Sequence, residues 1–193
     1  MGPSRTYRVY RTHDLDDALA KARRLRDLLR FREEEVVVDG TVTRVDALQR
    51  VRGPAATALF SMVRPPDSRG VHLWESELPH SQPELRRLLP LEFSAGIPDG
   101  PQVDELAHAL GRCPGSLRWI GLWPDEPELD AYGDPGYDAV EVAVNAEVPL
   151  ATTAAPGVHT LHVRVAQHGH LGCARRLAAL VGGAVAQEHA WGR

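Results

Sequence analysis

Residues 138–148, DAVEVAVNAEV, constrain this chain more than any other stretch. Val140, Val142, Val144, Ala146 and Val148 alternate with Glu141, Asn145 and Glu147. A period of two is the signature of a strand with one face on a core and the other toward water. Such a strand asks for antiparallel neighbours and for an apolar layer under one face only. Helices must supply that layer, and the chain contains them.

The clearest helix follows a strand over residues 6–12. Leu15, Ala18, Leu19, Ala22, Leu25, Leu28 and Leu29 recur at i, i+3, i+4 and i+7, a stripe wide enough to face a core. Thr12 or Asp14 can cap it, and Asp16 and Asp17 suit the positive end of its dipole. Asp39-Gly40, set between β-branched runs, predicts a two-residue hairpin turn, so the first unit reads β-α-β-β. A short helix is predicted at 46–51 with Asp46 as its cap, another from Ser81, and a third in which Val103, Leu106, Ala107 and Leu110 are buried and Gly111 stops the chain. Residues 53–63 fit a buried strand or a helix equally well. Strands are predicted at 71–75, 116–123, 158–166 and 184–189, with a helix over 170–181; residues 64–70 and 124–136 are loops by composition. The expected fold is α+β: a mostly antiparallel sheet with helices packed on one face, in one domain over 1–193, with 64–100 the only candidate subdivision. The two ends can be laid out as two ferredoxin-like half units, although their residues show no repeat.

A chain of 193 residues can bury roughly 70% of its unfolded surface, so a core needs no staples. Two cysteines, Cys113 and Cys173, make no disulfide framework, no run approaches a membrane span of ~20 apolar residues, and the first residues lack the apolar core of a signal peptide. Cytoplasm is the expected compartment, with no membrane partner. Residues 1–65 carry 13 basic against 9 acidic residues and residues 66–193 carry 9 against 17, a two-signed molecule. Lys21 is the single lysine among 22 basic residues, a skew that reads as GC-rich codon usage rather than as selection for arginine geometry.

Four constellations could carry chemistry. Near the end, His162, His168, His170 and Cys173 could converge if the strand stops where the helix begins. Zn²⁺ accepts such N and S ligands, with His168, His170 and Cys173 as the set, and Cys173 near a helix start could serve as a nucleophile with a histidine base. The competing reading is two solvated loop imidazoles and a small buried thiol, because no fourth ligand or orienting carboxylate is evident beyond Glu188 and His189. His159 shares a face with Leu161, Val163 and Val165 and reads as a satisfied, semi-buried histidine. Second, Trp123, Asp125, Glu126, Glu128, Asp130 and Tyr132 form an acidic, aromatic segment of the kind found at protein interfaces, although a solvated loop has the same composition. Third, Lys21, Arg23, Arg24, Arg26, Arg30 and Arg32 make one helix face basic, yet Glu33–Glu35 lie beside it and no nucleic-acid motif occurs, so no nucleic-acid partner is expected. His72, Trp74 and Trp119 could line a small-molecule pocket.

Each catalytic arrangement lacks a member. The expected function is therefore a non-catalytic binding protein that neutralises or assists a macromolecular partner through the acidic loop and the basic helix face, without a cofactor. The alternative is a small metal-dependent enzyme, with zinc as the candidate ion, or a His/Cys acid-base enzyme, using the histidine turn.

Overall fold

The computed structural model describes residues 5–55, 57–62, 72–129, 138–165 and 170–190, with backbone only at 129, 170 and 187–190. Among the described residues nine strands form one sheet in the order β4-β3-β5-β2-β6-β7-β8-β1-β9, every neighbouring pair antiparallel. They are β1 (Arg5–Thr12), β2 (Glu35–Val42), β3 (Leu59–Met62), β4 (His72–Trp74), β5 (Leu91–Pro98), β6 (Gly115–Gly121), β7 (Asp138–Val144), β8 (His159–Val165) and β9 (Gln187–Ala190). Five α-helices among the described residues connect them: α1 (Leu15–Arg26), α2 (Val45–Arg52), α3 (Gln82–Leu88), α4 (Pro101–Ala109) and α5 (His170–Leu180). The fold is α+β, as the periodicities require. Among the described residues no helix is long and apolar enough to cross a membrane.

The strand register separates two faces. Phe60, Phe93, Val38, Leu117, Val142, Leu161 and Tyr7 belong to the face on which all five helices pack, in one continuous apolar core. Asp14 caps α1 by accepting from the backbone N–H groups of Asp16 and Asp17. Arg44, not Asp46, occupies the cap position of α2. Gly111 and Gly182 end α4 and α5 with φ of 60° and 70°, the left-handed conformation that glycine adopts freely.

Two further expectations need correcting. Asp39-Gly40 makes no hairpin: β2 runs straight through it, paired with β5 along its whole length. Gly40 is needed for close packing instead, since a Cβ there would lie 2.6 Å from the Phe93 ring. The first unit is therefore β-α-β-α. Nor is the second face of β7 open to water, because every residue of that strand is buried, Glu141 included.

Candidate functional site

Five large apolar side chains are exposed among the described residues, namely Leu28, Phe31, Trp74, Leu150 and Leu180. A folded surface carries scattered apolar residues as a matter of course, but adjoining ones next to a hollow mark contact surfaces. Four of these five flank or line two hollows, or sit one residue pair from them, and Phe31 follows Leu28 by three residues.

One is a groove of about 280 Å³ between the end of α1 and α5. Trp123, Cys173 and Leu177 form its floor, Leu28 and Leu180 flank it, and Asp125, Glu126 and Arg176 edge it. Its floor is set by a short bridge in which Arg30 and Leu122 exchange backbone hydrogen bonds of 2.8 Å. That bridge directs Trp123 inward, 2% exposed, with its indole N–H donating to the Arg164 carbonyl at 2.8 Å. Just beyond the bridge Phe31 is 87% exposed with φ of 46°, a conformation a bulky side chain rarely adopts. An aromatic held outward at that conformational cost is the kind of feature that collects at binding surfaces.

Of the acidic, aromatic segment predicted to bind a partner, Asp125 and Glu128 are exposed. Glu126 is turned down to Arg176 Nη1 at 3.0 Å, and Trp123 is floor rather than rim. Asp130 and Tyr132 lie outside the described residues. The basic face of α1 is largely spent within the molecule. Lys21 pairs with Asp17, Arg23 with Asp104, Arg26 with Asp99 (2.7 Å) and Asp27, and Arg32 with Asp27.

The histidine turn does not assemble around His162 and Cys173. His162 belongs to the helix-free face of β8, between Glu141 and Arg8 in the register, fully buried with Nε2 2.9 Å from the Thr160 hydroxyl. Cys173 belongs to α5, on the opposite face, in the core. Alternation along β8 thus places the thickness of the sheet between them. Burial, then the charges of Glu126 and Asp138, push the Cys173 thiol up to about 12, the reverse of what a nucleophile needs. His168, and the side chains of His170, Glu188 and His189, lie outside the described residues. Among the described residues no group of three His, Cys, Asp or Glu side chains is placed to share a metal ion. His159 is buried with the core residues of β8; burial and then the charge of His13 lower its pKa, and its Nδ1 accepts from the Asn145 backbone N–H at 3.4 Å.

The second hollow, also about 280 Å³, lies on the helix-free face and is lined by Asp39, Thr41, Leu59, Ser61, His72, Glu92, Ser94 and Leu150 among others. His72 lines it, but Trp119 does not: its ring is in the core on the other side, with its N–H donating to Asp99 at 3.2 Å. Beside this hollow the same face carries a polar row, buried in its middle and half-buried at its ends, that sequence reading missed. Arg118, Glu141, His162 and Arg8 are direct cross-strand neighbours on β6, β7, β8 and β1. Glu141 is 0% exposed, and Arg164 Nη2 stands 3.8 Å from it. Burial raises its pKa above the usual glutamate range, against the pull of Arg164 and Arg118. Polar residues at alternate positions look like a solvated face in the sequence. Only the register reveals that three further strands bring charges to meet this one.

Compared with protein-family models, with curated proteins and with solved structures, the chain matches none.

Proposed function

We propose that the protein is a non-catalytic binding protein, working in the cytoplasm, that grips a segment of a macromolecular partner in the groove between α1 and α5. The observation that carries this reading is the composition of the groove: an apolar floor of Trp123, Cys173 and Leu177 between exposed Leu28 and Leu180, with Asp125 and the Glu126–Arg176 pair at one edge. Apolar residues on the partner would be released from water at roughly 25 cal/mol per Å². Asp125 and Glu128 would favour a partner whose flank is basic, and exposed charges of this kind act mainly on encounter rate and choice of partner. An amphipathic segment with Leu-like residues on one side and Arg or Lys beside them has that chemistry. Internal ion pairing leaves the basic face of α1 a supporting role at most.

The test uses two synthetic amphipathic helical peptides of about five turns, one of Leu and Arg and the other of Leu and Glu, titrated into the purified protein while anisotropy is followed. The Leu/Arg peptide is expected to bind at least about tenfold more tightly. The double variant Leu28→Gln/Leu180→Gln should lose that binding with an unchanged melting temperature. Equal binding of both peptides, binding that survives in the variant, or no binding of either peptide defeats the reading.

A further inference from the structure

The hollow on the helix-free face is built differently from the groove, and its lining specifies a ligand. Two register lines cross it. His72, Ser61, Glu92 and Thr41 are successive cross-strand partners on β4, β3, β5 and β2; Trp74, Leu59, Ser94 and Asp39 form the next line on the same strands. Eight side chains therefore stand on one side of four hydrogen-bonded strands, with Leu150 and Thr152 closing over them from the segment after β7. Positions fixed by a sheet ladder hold a constellation more tightly than loop positions do. The Ser61 hydroxyl and His72 Nδ1, 2.8 Å apart, fix one wall.

We propose that this hollow binds a small organic ammonium ion with an apolar body. Asp39 and Glu92 are acceptors only, and no lysine or arginine is among the described residues that line the space. Asp39 forms a long ion pair with Arg118 Nη2 at 4.0 Å, too far for a direct hydrogen bond, so its oxygens keep acceptor capacity. Glu92 is exposed to the hollow and makes no ion pair among the described residues. An ammonium group brings donors for both carboxylates and a positive charge to match the negative charge of Glu92. The hydroxyls of Thr41, Ser61 and Ser94 can take its remaining hydrogen-bonding needs. Leu59 and Leu150 offer the rest of the ligand an apolar surface. Trp74, 55% exposed beside Leu59, offers a ring face of the kind that attracts cations. A volume of about 280 Å³ lies just under the usual range of ligand pockets, so it suits a small molecule rather than a long chain.

Calorimetric titration of the whole protein with phenethylammonium, its neutral analogue 2-phenylethanol, and sorbitol tests the inference. Phenethylammonium is expected to saturate one site per chain at least about tenfold more tightly than 2-phenylethanol. Glu92→Gln should weaken it about tenfold without changing the melting temperature, since that side chain is exposed, and Asp39→Asn should do the same. Leu28→Gln/Leu180→Gln should leave it unchanged, which separates this site from the α1–α5 groove. Equal affinity for the alcohol, tighter binding of sorbitol, full affinity in Glu92→Gln, or no saturable binding of the amine overturns the proposal.

Discussion

Thr160 and Leu161 are neighbours on β8, and both are withdrawn from water. Leu161 enters the helix-covered core opposite Val142. Thr160 points the other way, its hydroxyl 3.2 Å from the carbonyls of Ala146 and Glu147 and 2.9 Å from His162 Nε2. The two faces of the sheet are therefore equally dry in the middle and opposite in chemistry. On one, burial is stabilising by itself. On the other, burial costs stability unless each polar group finds a partner.

The largest expected effect tests the first half of that contrast. Leu161→Ala should destabilise the fold by about 2–5 kcal/mol in denaturant titration, because it combines lost transfer energy with a cavity under α1 and α5. A cost below about 1 kcal/mol would show that this part of the core collapses to refill the space. Thr160→Val keeps the volume and removes the hydroxyl, so two carbonyls and an imidazole nitrogen lose a partner in a dry site. The expected cost is about 1–3 kcal/mol, smaller than for Leu161→Ala but of the same sign. A neutral or stabilising Thr160→Val would mean that water reaches the helix-free face and that the comparison fails there.

How much of this could be read from the sequence divides along the same line. The stripe on α1 and the cap at Asp14 were legible, because a local period of 3.6 and a local hydrogen bond decide them. The alternation in β7 correctly marked a strand with its valines inward. Glu141 was illegible, because its burial depends on Arg118, Arg164 and His162, which are remote in sequence and converge only through strand register. Asp39-Gly40 misled for a related reason. The dipeptide fits a turn locally, but the close approach of the Phe93 ring from another strand is what requires glycine. In the groove, Asp125, Glu126 and Trp123 were picked out as a unit, yet only the Arg30–Leu122 bridge explains why the indole turns in while Asp125 stays out. The ammonium site had no sequence signature beyond His72 and Trp74, since its two carboxylates lie 53 positions apart on β2 and β5.

Glu141 sharpens the comparison through pH. Its pKa is raised in the folded state, so the unfolded chain gives up this proton at a lower pH than the native one does. The contribution of the group is therefore fully present below the usual glutamate range and is lost as pH rises through the raised folded value. In that window the slope of stability against pH reaches at most about 1.4 kcal/mol per unit for a single group. Glu141→Gln should remove this component, so the difference in stability between wild type and variant should move in favour of the variant as pH increases from the usual glutamate range. A difference that does not change with pH would mean that Arg164 and Arg118 compensate the carboxylate completely.

The smallest expected effect has the opposite sign and lies at the border of the same face. Arg8 and Arg11 on β1 hold Glu147 at 2.9 and 3.0 Å, just past the end of β7. Hydrogen bonding from Arg11 lowers the Glu147 pKa most, burial opposes it, and the charges of Arg11 and Arg8 lower it further. The stabilisation is present above the usual glutamate range and disappears as pH falls through the lowered value. Because Glu147 and Arg11 are both well exposed, solvent screens the pair, and Glu147→Gln should cost well under about 1 kcal/mol at neutral pH and low salt. Added salt should shrink even that, since the Debye length falls to roughly 3 Å at 1 M. Glu141 and Glu147, six residues apart, should thus titrate with opposed effects on stability, one buried and opposed by its surroundings, the other exposed and favoured by them. If Glu147→Gln proved as costly as Thr160→Val, or its cost were insensitive to salt, Glu147 would have to be counted with the buried polar face rather than with its solvated border.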